Sequence, residues 1–249
     1  MKTNIKRKIL RGLIAVVLTS VLIWGISWAT FARQPLPNAI DALVSDDQVQ
    51  ITSSPWLVFM PARSKPTTGL IFYPGGRIDP RGYAPLMHTI AAEGYLVIVP
   101  EMPLNMAPFN INIAKVIQAN YPEIEYWAIG GHSVGGTMAA QYTDNHTEDI
   151  NGLIFWASYP ANNVALTDLS LPVTLIYGSM DPRVNAESVG KRRELLPQHC
   201  RYIQIVGGDH HQFGAYEINP EEQFATISQS YQHQQIIQAT LVLLSEIQE

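Results

Sequence analysis

The pentapeptide Gly131-His132-Ser133-Val134-Gly135, directly after the apolar run Tyr126-Trp127-Ala128-Ile129-Gly130, constrains this chain more than any other stretch. It has the G-x-S-x-G pattern of a sharp strand-to-helix turn that lifts a serine hydroxyl above a sheet. Glycines flank the serine because a side chain there would collide with the tightly turned backbone. The pattern asks for a strand before it, a helix from Val134 and a nucleophilic Ser133 between them. A serine that merely caps the helix is the plainer alternative.

Such a turn needs a sheet around it. From Trp56 onward, short apolar runs alternate with longer amphipathic segments, which predicts a mostly parallel sheet flanked by helices. The predicted strands are Trp56–Met60, Leu70–Tyr73, Leu96–Val99, Tyr126–Ile129, Leu153–Trp156, Val173–Tyr177 and Tyr202–Val206, with a short one around Val49–Ile51. Helices are predicted at Tyr83–Glu93, Ile111–Asn120, Val134–Asn145, Ala186–Leu196 and Glu221–Ile247, the last because Phe224, Ile227, Tyr231, Ile236, Thr240, Leu244 and Ile247 fall near one face. Residues 157–172 are too few for a lid of two helices of about 10 residues each, so an open site without a cap domain is expected.

The amino terminus reads differently. Lys2, Lys6, Arg7, Lys8 and Arg11 precede an uncharged apolar segment, Gly12–Ala32. That segment approaches the roughly 20 residues of a membrane-spanning helix and exceeds the roughly 7–15 of a usual signal-peptide core. The expectation is one transmembrane helix with the basic cluster in the cytoplasm and the following domain outside it. Secretion after cleavage near Thr30-Phe31-Ala32 is the alternative. The organisation expected is thus an anchor or signal over 1–33, a linker over 34–54 and one folded domain over 55–249.

Composition narrows the function. Charged residues make up 15% and apolar ones 47% of the 249 residues, as in a globular chain, and a net charge of −5 argues against nucleic acid as a partner. Cys200 is the only cysteine, read as a small buried hydrophobe, so neither an intramolecular disulfide nor a thiolate cluster can form. H-E-x-x-H and G-x-G-x-x-G are absent, and neither a metal nor an organic cofactor is expected.

A serine is a weak nucleophile until a base takes its proton, and that base needs an orienting acid. Asp181 follows the strand ending near Tyr177, in Gly178-Ser179-Met180-Asp181-Pro182. His210 and His211 follow the next strand, in Gly207-Gly208-Asp209-His210-His211-Gln212-Phe213-Gly214, and spacing alone does not separate them. Asp149 and Asp168 do not sit at a strand end in the required place. His132 is read as structural, and His88, His146, His199 and His233 as surface or interface residues. Backbone amides must meet the oxyanion. One is expected from Val134, the other from Tyr73-Pro74-Gly75-Gly76-Arg77, with Gly76 preferred and Arg77 next. Arg77, Met102, Met106, Phe109, Tyr159 and Phe213 lie on loops at the same sheet edge and are candidates for lining the substrate pocket.

With these motifs assembled, the chain from Trp56 onward resembles the α/β-hydrolase superfamily, in its compact lidless branch related to dienelactone hydrolases. The likeness rests on Tyr73–Pro80, Gly130–Gly136, Gly178–Asp181 and Gly207–Gly214. In sequences of this look the last motif usually reads Gly-Gly-Asn-His-x-Gln-Phe-Gly. The resemblance therefore places the base on His210 and sets Asp209 where asparagine is usual. Dienelactone hydrolases proper carry a cysteine nucleophile where this chain has Ser133, which argues against dienelactone as substrate. What the resemblance implies is hydrolysis of a small-molecule ester or related acyl bond through a Ser-His-Asp triad and an acyl-enzyme. A peptidase and a non-catalytic ligand-binding receptor on the same fold are the alternatives. Oligomeric state is not readable from this sequence.

Overall fold

The computed structural model describes residues 2–248, without the side chains of residues 2–6, 8, 9, 26 and 28–30. In chain order the elements are α1 (Lys2–Thr30), α2 (Pro37–Asp41), β1 (Val49–Thr52), β2 (Leu57–Pro61), β3 (Thr68–Tyr73), α3 (Ala84–Ala92), β4 (Leu96–Val99) and α4 (Ile113–Asn120). There follow β5 (Tyr126–His132), α5 (Val134–Asn145), β6 (Gly152–Trp156), β7 (Val173–Gly178), α6 (Ala186–Arg192), β8 (Arg201–Ile205) and α7 (Gln229–Glu246). The strands form one sheet in the order β1-β2-β4-β3-β5-β6-β7-β8. β2 is antiparallel to both β1 and β4, and every other pairing is parallel.

Helices on both faces explain why the central strands are apolar at almost every position. Leu70 and Phe72 of β3 enter a core shared with Leu86 and Ile90 of α3 and Ile236 and Leu243 of α7. Ile71 and Tyr73 of the same strand enter the opposite core, with Ile117 of α4, Ala139 of α5 and Val189 of α6. Parallel strands with right-handed crossovers bring their carboxyl ends to one edge. The loops after β3, β5, β7 and β8 therefore gather there.

The structure departs from the sequence reading in four places. β5 continues past Ile129 because Gly130, Gly131 and His132 still pair with Ile154, Phe155 and Trp156 of β6. The last helix starts at Gln229 and not at Glu221: the amides of Phe224 and Ala225 are held by the Asp209 carboxylate and that of Thr226 by Gly207 O, and Ser228 then caps α7. Residues 34–54, expected as a linker, are tied into the fold. Leu36 N donates to Ala215 O and Glu217 N to Gln34 O, Ala39 is fully buried, and β1 pairs with β2. Finally, α1 is a helix, but among the described residues no helix is long and apolar enough to cross a membrane. The transmembrane reading of residues 12–32 has no support there, and the side chains of residues 26 and 28–30 lie outside the described ones. The loop over residues 157–172 contains no helix.

Candidate active site

Ser133 sits between β5 and α5 with φ 53° and ψ −125°, a left-handed backbone that L-residues avoid unless the surroundings enforce it. The enforcement is visible. Ser133 N donates to Trp156 O (3.0 Å), and Ser133 O accepts from Ser158 Oγ (2.6 Å) and Thr137 N (3.3 Å). A Cβ at Gly135 would run into the carbonyl oxygens of Tyr73 and Pro74, so α5 packs against the β3 loop only because glycine is there. Among the described residues the Ser133 hydroxyl makes no hydrogen bond.

Asp181 and His210 meet at the ends of β7 and β8. His210 Nδ1 lies 2.7 Å from Asp181 Oδ2, with both side chains almost fully buried. The other carboxylate oxygen accepts from Arg183 N (2.7 Å) and Val184 N (2.9 Å), which fixes its plane. An ionised carboxylate can only accept, so Nδ1 donates, and in the neutral ring Nε2 then carries the lone pair.

The two adjacent histidines separate. The ring of His211 stands at 83° to that of His210 and turns to Tyr216 Oη (3.4 Å) and Glu222 (3.8 Å). His132 is buried behind them. Its Nε2 donates to His210 O (3.0 Å), and its Nδ1 accepts from Tyr83 Oη (2.9 Å), which in turn accepts from Gly75 N (2.9 Å). This chain fixes a neutral tautomer and ties the loop after β3 to the loop after β8. His132 is thus structural, as expected from its place in the turn. His233, expected at the surface, is instead buried in α7.

Ser133, His210 and His211 line one cavity of about 880 Å³ together with Gly76, Arg77 and Arg183. The amides of Gly76 and Val134 have no partner among the described residues, and a Cβ on Gly76 would lie 3.1 Å from the Val134 side chain. Arg77 N is not available, because it donates to Asn105 O (2.7 Å). Of the six residues proposed to touch substrate, only Arg77 lines this cavity. Phe213 is fully buried and stacked on His132, Met102 is in the core, Tyr159 lies under Arg192, and Phe109 projects outward from the loop after β4. The remaining wall was not foreseen. Phe31, Arg33 and Leu36 line the cavity, and Arg33 is anchored by Glu222 through two bonds (3.0 and 2.8 Å). A second cavity of about 930 Å³, between α3 and α7, contains none of Ser133, Asp181 and His210.

Burial dominates the histidine titrations. It pushes His132 well below the ordinary value and His211 and His233 down to about 4, with the neighbouring His210 charge adding to the first two. These groups bind protons more readily in the unfolded chain, where the midpoint is about 6.5. Stability is therefore full above about pH 6.5 and falls as the pH drops toward 4. The melting temperature should be at least about 5 °C lower at pH 5 than at pH 7, and His233→Gln should shrink that fall. A flat profile between those values would contradict the burial of these rings.

An elbow serine above a parallel sheet, with an acid–histidine pair from the next strand ends, defines a hydrolase fold of the α/β class. The profile of the alpha/beta hydrolase family matches residues 69–234, and the chain belongs to that family. Among solved structures it is similar to Est1E from Butyrivibrio proteoclasticus with ferulic acid bound, at 13% identity over 78% of this chain and 98% of that one, with a TM-score of 0.56. It is also similar to Thermogutta terrifontis esterase 2 phosphoramylated by tabun, at 12% identity over 80% and 96%, TM-score 0.56. A predicted CIB-like hydrolase from Thermoplasma acidophilum matches at 14% identity over 79% and 97%, TM-score 0.54. No curated protein sequence matches the chain.

Proposed function

We propose that this protein is a serine hydrolase of small-molecule carboxylic esters. The observation that carries the reading is the buried Asp181–His210 pair opening on the same cavity as the strained Ser133. Ser133 Oγ attacks the ester carbonyl carbon while His210 Nε2 takes the hydroxyl proton. Asp181 holds the ring and stabilises the imidazolium. The amides of Gly76 and Val134 receive the oxyanion. Collapse of the tetrahedral intermediate expels the alcohol, which leaves with the proton from His210. Water, deprotonated by the same histidine, then releases the acid from the acyl-enzyme. Substrate binding closes the serine–histidine contact, as is common where the free site is loose. The names of the structural neighbours, one an esterase phosphoramylated by tabun and another a predicted hydrolase, support the same reaction class. The test is a series of 4-nitrophenyl esters of increasing acyl length, with and without prior fluorophosphonate. Turnover of short esters that the fluorophosphonate abolishes is expected, and failure to turn over any member would overturn the reading.

We propose separately that α1 holds the protein at a membrane, with the catalytic domain outside the cytoplasm. Leu13, Ile14, Val16, Leu18, Leu22 and Ile23 are each at least half exposed and go round the whole circumference of α1. Apolar side chains on every face suit a lipid surrounding better than water. The full chain should stay in the membrane fraction after alkaline carbonate washing. A soluble product starting near Arg33 would show cleavage instead.

A further inference from the structure

We infer that Asp209 is a positioning residue for His210, and that it must be a carboxylate. The inference rests on the proposed role of His210. Asp209 immediately precedes the histidine and is 1% exposed. Its Oδ1 accepts from His211 N (3.0 Å) and Gln212 N (2.9 Å), which closes the turn that carries His210. Its Oδ2 accepts from Phe224 N (3.1 Å) and Ala225 N (3.2 Å), on the segment leading into α7. The backbone is gripped as well: Asp209 N donates to Gln232 Oε1 (3.0 Å), and Gln232 Nε2 donates to Asp209 O (2.9 Å). Gln232 is fully buried.

Four N–H donors converge on one side chain that holds no donor of its own when ionised. Asparagine, the residue that the motif resemblance leads one to expect here, has a single acceptor oxygen. Whichever way its amide is turned, the NH2 group faces two N–H donors. Either the histidine turn or the 223–228 segment then loses its anchor. The carboxylate thus ties the turn bearing the base to the start of α7, and through that tie it keeps the His210 ring in line with Asp181 and Ser133. A displacement of about 1 Å at such a site lowers turnover by about a hundredfold. Asp209 touches neither substrate nor reacting atoms. It acts only through His210.

The test uses the purified full chain with Asp209→Asn and Gln232→Met, beside wild type and Ser133→Ala, assayed on a short aryl ester well below each variant's melting temperature. For D209N the expected result is a kcat lower by about 30–100-fold with KM within about twofold, and fluorophosphonate labelling of Ser133 slowed in parallel. A lower melting temperature with kcat per folded molecule unchanged would mean a purely structural role and overturn the inference. Where D209N does not fold, Gln232→Met decides: a kcat lower by about tenfold at unchanged KM supports it, and wild-type kcat overturns it. A Ser133→Ala variant that keeps turnover removes the hydrolase reading itself. Inert Ser133→Ala beside fully active D209N leaves that reading standing and removes only this inference.

Discussion

Ser133→Ala should lower turnover of an activated ester by about four to six orders of magnitude while the domain stays folded. The fold should tolerate the change because what constrains residue 133 is its backbone. The bonds to Trp156 O, Ser158 Oγ and Thr137 N all use main-chain atoms, and the hydroxyl itself has no partner among the described residues. Alanine keeps the Cβ and loses only the nucleophile. The melting temperature should therefore move by only a few degrees. Substitution at Gly135 would do the opposite, since a Cβ there meets the Tyr73 and Pro74 carbonyls. The measurements are steady-state turnover and a melting curve on the same preparation. Near-normal turnover would exclude Ser133 as the nucleophile.

The second large effect separates the two adjacent histidines. His210→Ala should fall nearly as far as the serine variant, leaving the roughly 10³–10⁴-fold catalysis over water that binding and oxyanion stabilisation supply. His211→Ala should keep turnover within about tenfold, about 1.4 kcal/mol or less on the barrier. The difference follows from direction. His210 is committed to Asp181 at 2.7 Å, whereas His211 points to Tyr216 and Glu222. His211 is also held neutral, its midpoint down at about 4, chiefly by burial. The reverse pattern in the two variants would place the base on His211.

Much of this arrangement could be read from the chain. Strand and helix periods placed the sheet, and strand ends followed by Gly-rich loops located Ser133, Asp181 and the histidine pair, because in a parallel sheet those ends share one edge. Spacing left His210 and His211 tied, and the motif resemblance that favoured His210 agrees with the hydrogen bond to Asp181. Side chains on irregular loops were harder, since loops have no period that tells inward from outward. Phe213 was taken for a pocket residue and is a core residue stacked on His132. The cavity wall made by residues 31–36 was invisible for another reason. It depends on pairings such as Arg33 with Glu222, 189 positions apart, which no local pattern announces. The late start of α7 is also set outside its own segment: the apolar spacing from Phe224 suits a helix, but the buried Asp209 carboxylate, 15 positions before Phe224, takes the amides that a first turn would leave free.

The central claim is that Ser133 is a nucleophile activated by His210 and Asp181. The measurement that meets it most directly is peptide mapping by mass spectrometry after reaction of the full chain with a fluorophosphonate. The account predicts one adduct, on the peptide containing Gly131-His132-Ser133-Val134-Gly135, formed rapidly in wild type and at least about a hundredfold more slowly in His210→Ala. An adduct on another serine, or equal labelling rates in the two proteins, would contradict it.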